Sequence, residues 1–169
     1  PIPYAEETMH GFEYQAAIHM IMHGMEEEGM NVVRGIRRRY DGEKRNPWNE
    51  FECGSNYARS MASYALLLAY SGFHFDMVRK KIGMKPLRPG CYFWSLDGAW
   101  GVCTVEDMFA KLEVLYGELK LKSWVVPDAE KVVGMTLDGV AQAFTADEDA
   151  LKLNHEITLT TGSKLRANH

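Results

Sequence analysis

The sequence has few cysteines, no large surplus of charge and no long apolar run. Its three cysteines, Cys53, Cys91 and Cys103, are widely spaced and form no Cys-x-x-Cys pair. An odd, unclustered set argues against a disulfide framework and against a zinc site, and fits a reducing, cytoplasmic setting. A net charge of −4 and a pI of about 5.9 leave no basic footprint, which argues against a nucleic-acid partner. No apolar run approaches the ~20 residues that a membrane-spanning helix needs. Internal repeats and low-complexity tracts are absent. The chain opens Pro1-Ile2-Pro3, without Met or a signal pattern. For a piece of a longer protein, that lack says nothing about the parent.

What is there divides into two halves. The 169 residues suffice for one core or two small ones. In the first half, Phe12, Ala16, Met20 and Tyr14, Ile18, Met22 form two i, i+4 stripes. They predict a helix from about Met9, capped by Thr8, ending near Gly24, and apolar on more than one side. A second helix is expected over 26–40, with Glu26, Glu27 and Glu28 at its start and Arg37, Arg38 and Arg39 at its end. Asp41-Gly42 stops it. A third is expected from about Asn56 to Ser71, with Gly72 ending it. Such multi-sided helices need neighbours, so an exposed apolar face predicts self-association or a partner. From Phe73 onward short alternating runs are broken by Gly, Pro and Asp-Gly. Leu112, Val114, Tyr116; Leu119, Leu121; Met135, Leu137; and Ile157, Leu159 predict an antiparallel β unit of six to eight strands. The expected division is 1–72 helical and 73–169 β.

Between the second and third helices lies the stretch richest in chemistry, Arg45 to Tyr64. Pro47 and Gly54 hold Glu50 and Glu52 in a non-helical loop. Ser55 or Asn56 can cap the helix that follows, which puts Arg59 about one turn in. Carboxylates accept hydrogen bonds from hydroxyls, a guanidinium donates in a fixed fork, and Trp48 and Tyr57 offer ring faces to C–H groups. That mix suits a sugar. A salt bridge tying loop to helix is the commoner meaning of such a Glu–Arg pair.

The run Asn46, Pro47, Trp48, Asn49, Glu50, Glu52, Cys53, Tyr57, Ala58, Arg59, Met61, Ala62, Ser63, Tyr64 resembles the C-terminal part of the catalytic domain of glycoside hydrolase family 116. This is the family of bile-acid β-glucosidases and non-lysosomal glucosylceramidases. The likeness covers about residues 4–126 and is strongest over 46–72. It implies an α+β fold in which residues 1–72 are the last helical hairpins of an (α/α)6 barrel, followed by a small antiparallel β unit. It implies that Glu50 and Arg59 hold glucose hydroxyls in subsite −1. A second family element matches at Glu7, Gly11 and Tyr14, and departs at Met9 and His10, where Met9 stands in place of an aromatic platform. Glu7 is then either a ligand contact or a charge stabilising a helix N-terminus.

The family is retaining, and its nucleophile Glu and acid/base Asp lie upstream, in segments absent here. Glu50 and Glu52 are two apart and point to opposite sides of an extended loop, so they are a poor catalytic pair. The implied role is a fragment or split subunit that binds a glucoside or oligosaccharide beside the rest of the helical barrel, in the same parent chain or a partner subunit. No catalytic residue and no cofactor is assigned to this chain. The rival is a non-catalytic carbohydrate-binding or assembly module.

Weaker constellations remain. His19 and His23 have a zinc-compatible i, i+4 spacing, but no glutamate completes the metalloprotease pattern, and two ordinary histidines are the default. Arg34, Arg37, Arg38, Arg39, Lys44 and Arg45 read as a solvated basic face. Tyr92, Phe93, Trp94 and Trp100 offer either a sugar groove or core packing, and packing is the default for large aromatics.

Overall fold

The structure is a computed structural model that describes residues 9–46, 59–147 and 150–169. They fall in two compact units, 1–70 and 71–169.

In the first unit, helix α1 (His10–Met22) and helix α2 (Glu26–Arg39) form a hairpin. Gly24 makes the turn at φ +81°, and its N–H donates to the Ile21 carbonyl at 3.1 Å. Tyr14, Ala17, Val33, Ile36 and Tyr40 are the buried core between them. Gly29 sets how closely the helices approach, because a Cβ there would lie 2.7 Å from the Ala17 carbonyl oxygen. The described part of the third helical segment is a 3₁₀ helix (Arg59–Tyr64) followed by α3 (Ala65–Ser71). The expected start near Asn56, like the Thr8 cap, lies outside the described residues. Gly72 follows α3 at φ +57°, where a Cβ would sit 2.2 Å from the Lys85 carbonyl oxygen.

The second unit is one ten-stranded sheet folded around a core. Its strands are β1 (His74–Asp76), β2 (Lys81–Gly83), β3 (Gly90–Ser95), β4 (Ala99–Glu106), β5 (Phe109–Val125), β6 (Gly134–Leu137), β7 (Val140–Ala141), β8 (Phe144–Ala146), β9 (Leu151–Thr160) and β10 (Lys164–Asn168). Strand β5 is the spine. Its first half pairs with β4 and β10, and its second half with β2 and β9. The change of partner falls at Gly117, whose φ of +86° bends the strand where a Cβ would meet the Gly98 carbonyl oxygen at 2.0 Å. Leu112, Val114, Leu119, Leu121, Trp124, Leu151, Leu159 and Leu165 fill the space inside the folded sheet. Asp138 and Gly139, at φ +50° and +85°, form the β6–β7 turn, as the Asp-Gly dipeptide demands.

Two expectations are corrected. Among the described residues β-sheet predominates, with three α-helices beside ten strands, so the chain is not the last hairpins of an (α/α)6 barrel with a small β appendage. The barrel reading took each exposed apolar residue of the helical half as a demand for another helix. Instead, α1 and α2 close on each other at Gly29, and Phe12, Met22 and Leu67 stay exposed. The β part is also not purely antiparallel. Lys81, Ile82 and Gly83 pair in parallel with Ser123, Trp124 and Val125. Gly83 permits this contact, since a Cβ would fall 2.2 Å from the Val125 Cβ.

Candidate functional site

The two stretches that carry the family likeness meet at one open cleft in the helical unit. It has a volume of about 450 Å³, with Gly11, Phe12 and Gln15 of α1 on one wall and Met61, Ala62 and Ala65 on the other. The helical pitch explains the first wall. Gly11 and Gln15 are one turn apart on α1, on the side away from Ala17 and Ile21, and Phe12 lies beside them, 54% exposed. The second wall follows from the 3₁₀ geometry, which brings Met61 and Ala62 round beside α1. Gln15 is the polar side chain among these lining residues. The described walls therefore offer apolar surface and one amide, which can hold a ring but supply no acid or base.

None of the predicted sugar contacts is among the described residues that line this cleft. Glu50 and Glu7 lie outside the described residues, as do Trp48 and Tyr57. Arg59 is the first residue of the 3₁₀ helix, two positions before Met61. Tyr14, matched in the second family element, is a core residue at 2% exposure. His10, where the element departs, is also buried and packs on Tyr40 with ring centroids 4.3 Å apart. It is a packing residue of the helix start.

The chain enters the Asn46–Tyr64 stretch through a loop locked by Asp41. The Asp41 carboxylate accepts hydrogen bonds from the Lys44 N–H at 2.9 Å, the Glu43 N–H at 3.1 Å and Lys44 Nζ at 3.0 Å. The Lys44 backbone and side-chain donors hold its carboxyl down to about 2. A depressed acid stabilises the folded loop above its unfolded pKa and loses that contribution as pH falls through the folded value. The Asp41 side-chain ¹³C resonance is thus expected to titrate near pH 2; a midpoint close to 4 would contradict the three-donor lock.

The other sequence candidates resolve plainly. His19 and His23 are exposed, with ring centroids 4.5 Å apart, and no group of three metal-ligating side chains occurs among the described residues. The basic residues of α2 reach carboxylates: Arg34 bonds Glu27 at 2.8 Å, and Arg39 bonds Glu13. Of the aromatic quartet, Trp94 is core at 1% exposure, Tyr92 is half-buried with its hydroxyl donating to the Arg88 carbonyl, and Phe93 and Trp100 face water. Tyr116, which shares the alternation of Leu112 and Val114 in the sequence, joins them outside. Gly117 next to it was the available signal, because a glycine inside a strand pattern marks a bulge or bend.

No family model matches the chain, and no curated protein matches it. Among solved structures the chain is similar to Ara127N-Se, a GH127 β-L-arabinofuranosidase from Geobacillus stearothermophilus T6, at 13% identity and a TM-score of 0.41. That match covers 79% of this chain and 22% of the other, so the chain spans about a fifth of that structure's length. A likeness at this level carries no argument about activity.

Proposed function

We propose that the chain supplies sugar-binding residues to a retaining β-glucosidase-like glycoside hydrolase, with Glu50 and Arg59 holding glucose hydroxyls and Glu7 assisting. The nucleophile and the acid/base come from further sequence or a partner subunit. The observation that carries the reading is that the two family-like stretches, far apart in sequence, line one cleft through Gly11 and Phe12 on one side and Met61 and Ala62 on the other. A mostly apolar wall with a polar group such as Gln15 is the ordinary composition of a small-ligand site. The match of Asn46–Tyr64 supplies the class of ligand.

Hydroxyl contacts that tighten as the sugar flattens toward the transition state add to rate as well as to binding. Arg59→Ala, made in the protein as its source organism produces it, is expected to lower kcat/KM for 4-nitrophenyl β-D-glucoside by about tenfold or more, a loss of the order of a charged hydrogen bond. Arg59→Lys should recover part of it. Unchanged kinetics in Arg59→Ala would leave Arg59 a plain salt-bridge residue.

A second reading, a non-catalytic carbohydrate-binding module, is favoured by the exposed aromatics of the β unit. Oligosaccharide binding by the isolated chain, together with unchanged kinetics in Arg59→Ala and Glu50→Gln, would favour it over the glucosidase reading.

A further inference from the structure

Three aromatic rings form a row on the outer face of the sheet, across β3, β4 and β5. Trp100 and Tyr116 are cross-strand partners whose ring planes lie 19° from parallel, with centroids 6.1 Å apart. Phe93, on β3, lies 6.2 Å from Trp100 on its other side. Their exposures are 63% for Phe93, 41% for Trp100 and 63% for Tyr116. Strict alternation along β5 would turn Tyr116 inward, because Val114 is wholly buried. A bulge prevents this. Gly101 pairs with Val114 and Trp100 with Tyr116, so Leu115 is the extra residue and Tyr116 swings to the outside. Gly101 makes the bulge compatible with close packing, since a Cβ there would lie 1.9 Å from the Glu113 carbonyl oxygen. The fold thus departs from regular pairing where the row is completed, as it does again between Leu121 and Ser123 on the β9 side.

Polar groups flank the rings. Glu113 pairs with Val102, which is also Phe93's partner on the other side of β4, and its carboxylate lies 3.3 Å from Lys111 Nζ and 3.6 Å from Lys164 Nζ. One carboxylate and two ammonium groups therefore sit together with one positive charge left over, and they offer both an acceptor and donors to the hydroxyls of a neutral sugar. The size of the platform points the same way. Rings of roughly 150–250 Å² each, about half exposed, present on the order of 350 Å². That is well short of the ~800 Å² per partner of a stable protein interface. It is ample for two or three sugar rings laid with their C–H faces on the aromatics.

We propose that this face is a carbohydrate-binding surface for a neutral oligosaccharide, with Trp100 and Tyr116 as the main stacking residues, Phe93 extending the platform and Glu113 accepting from hydroxyls. It lies in the β unit, deepens the binding-module reading, and does not depend on the glucosidase reading.

Cellohexaose, laminarihexaose and xylohexaose, titrated separately into the protein and followed by calorimetry, test it. At least one is expected to bind, and Trp100→Ala and Tyr116→Ala should each weaken that binding tenfold or more. Both residues are exposed, so thermal unfolding should be unchanged and will report any variant that fails to fold. Phe93→Ala, at the row's end, gives an independent and smaller loss. Arg59→Ala should leave this binding unaltered, which separates the surface from the helical-unit cleft. No binding of any of the three sugars would overturn the proposal. So would binding indifferent to Trp100 and Tyr116, or a shift in sedimentation on Trp100→Ala showing that the rings join two copies of the chain.

Discussion

Glu50→Gln, made in the protein as its source organism produces it, is expected to reduce kcat/KM for an aryl β-glucoside by roughly ten- to a hundredfold while leaving thermal unfolding unchanged. The size follows from the chemistry. A carboxylate that accepts from a sugar hydroxyl makes a charge-assisted hydrogen bond worth about 1.5–3 kcal/mol, and the neutral amide keeps the shape but loses the charge. If the contact strengthens in the transition state, kcat falls with kcat/KM; if it binds ground and transition states alike, only KM rises. Glutamine matches glutamate in size and shape, so the fold is expected to tolerate the substitution. Wild-type kinetics in Glu50→Gln would remove the residue from the site.

The largest effect on stability is expected at Trp124. It is wholly buried at the point where β5 pairs with Ile82 of β2 and Leu151 of β9. Trp124→Ala removes the largest kind of side chain from the centre of the sheet's core, a change that costs about 3–5 kcal/mol. In a unit of about 100 residues each kcal/mol moves Tm by roughly 4–8 °C, so a fall of about 12 °C or more is expected. Trp124→Phe discriminates between packing and polarity. The indole N–H of Trp124 is buried with no hydrogen-bond partner among the described residues. Removing a buried unsatisfied donor relieves a cost of about 1–3 kcal/mol, which offsets much of the lost volume. The phenylalanine variant should therefore lose less than half of what the alanine variant loses. Equal losses would mean that the N–H is bonded, through water for example.

Several elements were legible in the residues themselves. The α1–α2 hairpin follows from Gly24, from three glutamates at the start of α2 and from three arginines at its end. The β6–β7 turn follows from Asp138-Gly139, and the inward faces of Leu112, Leu119, Leu121 and Leu159 from period-two alternation. What was not legible depends on tertiary contact. Gly117 looks like the gap between two strands, yet β5 runs through it as a single strand from Phe109 to Val125, because different partners hold its two halves. The parallel pairing of β2 involves three residues, too few to leave a pattern. The exposed apolar residues of the helical half look the same in sequence whether further helices cover them or water does, and this produced the barrel expectation that the sheet-dominated fold overturns. For the candidate site the sequence offers residue types, Glu50 with Arg59, and Glu50 lies outside the described residues. The meeting of Gly11 with Met61 required the packing of α1 on the 3₁₀ helix. The outward Tyr116 is the clearest case: alternation predicts the inside, and one extra residue, Leu115, reverses it.

The central claim is that this chain helps to hold a glucose ring during retaining hydrolysis. Proton NMR of the first sugar released from 4-nitrophenyl β-D-glucoside, by the protein as its source organism produces it, tests that claim most directly. Release of glucose first as the β-anomer, weakened in Glu50→Gln and Arg59→Ala alike, is the predicted result. Release of no glucose, or of the α-anomer first, would contradict it.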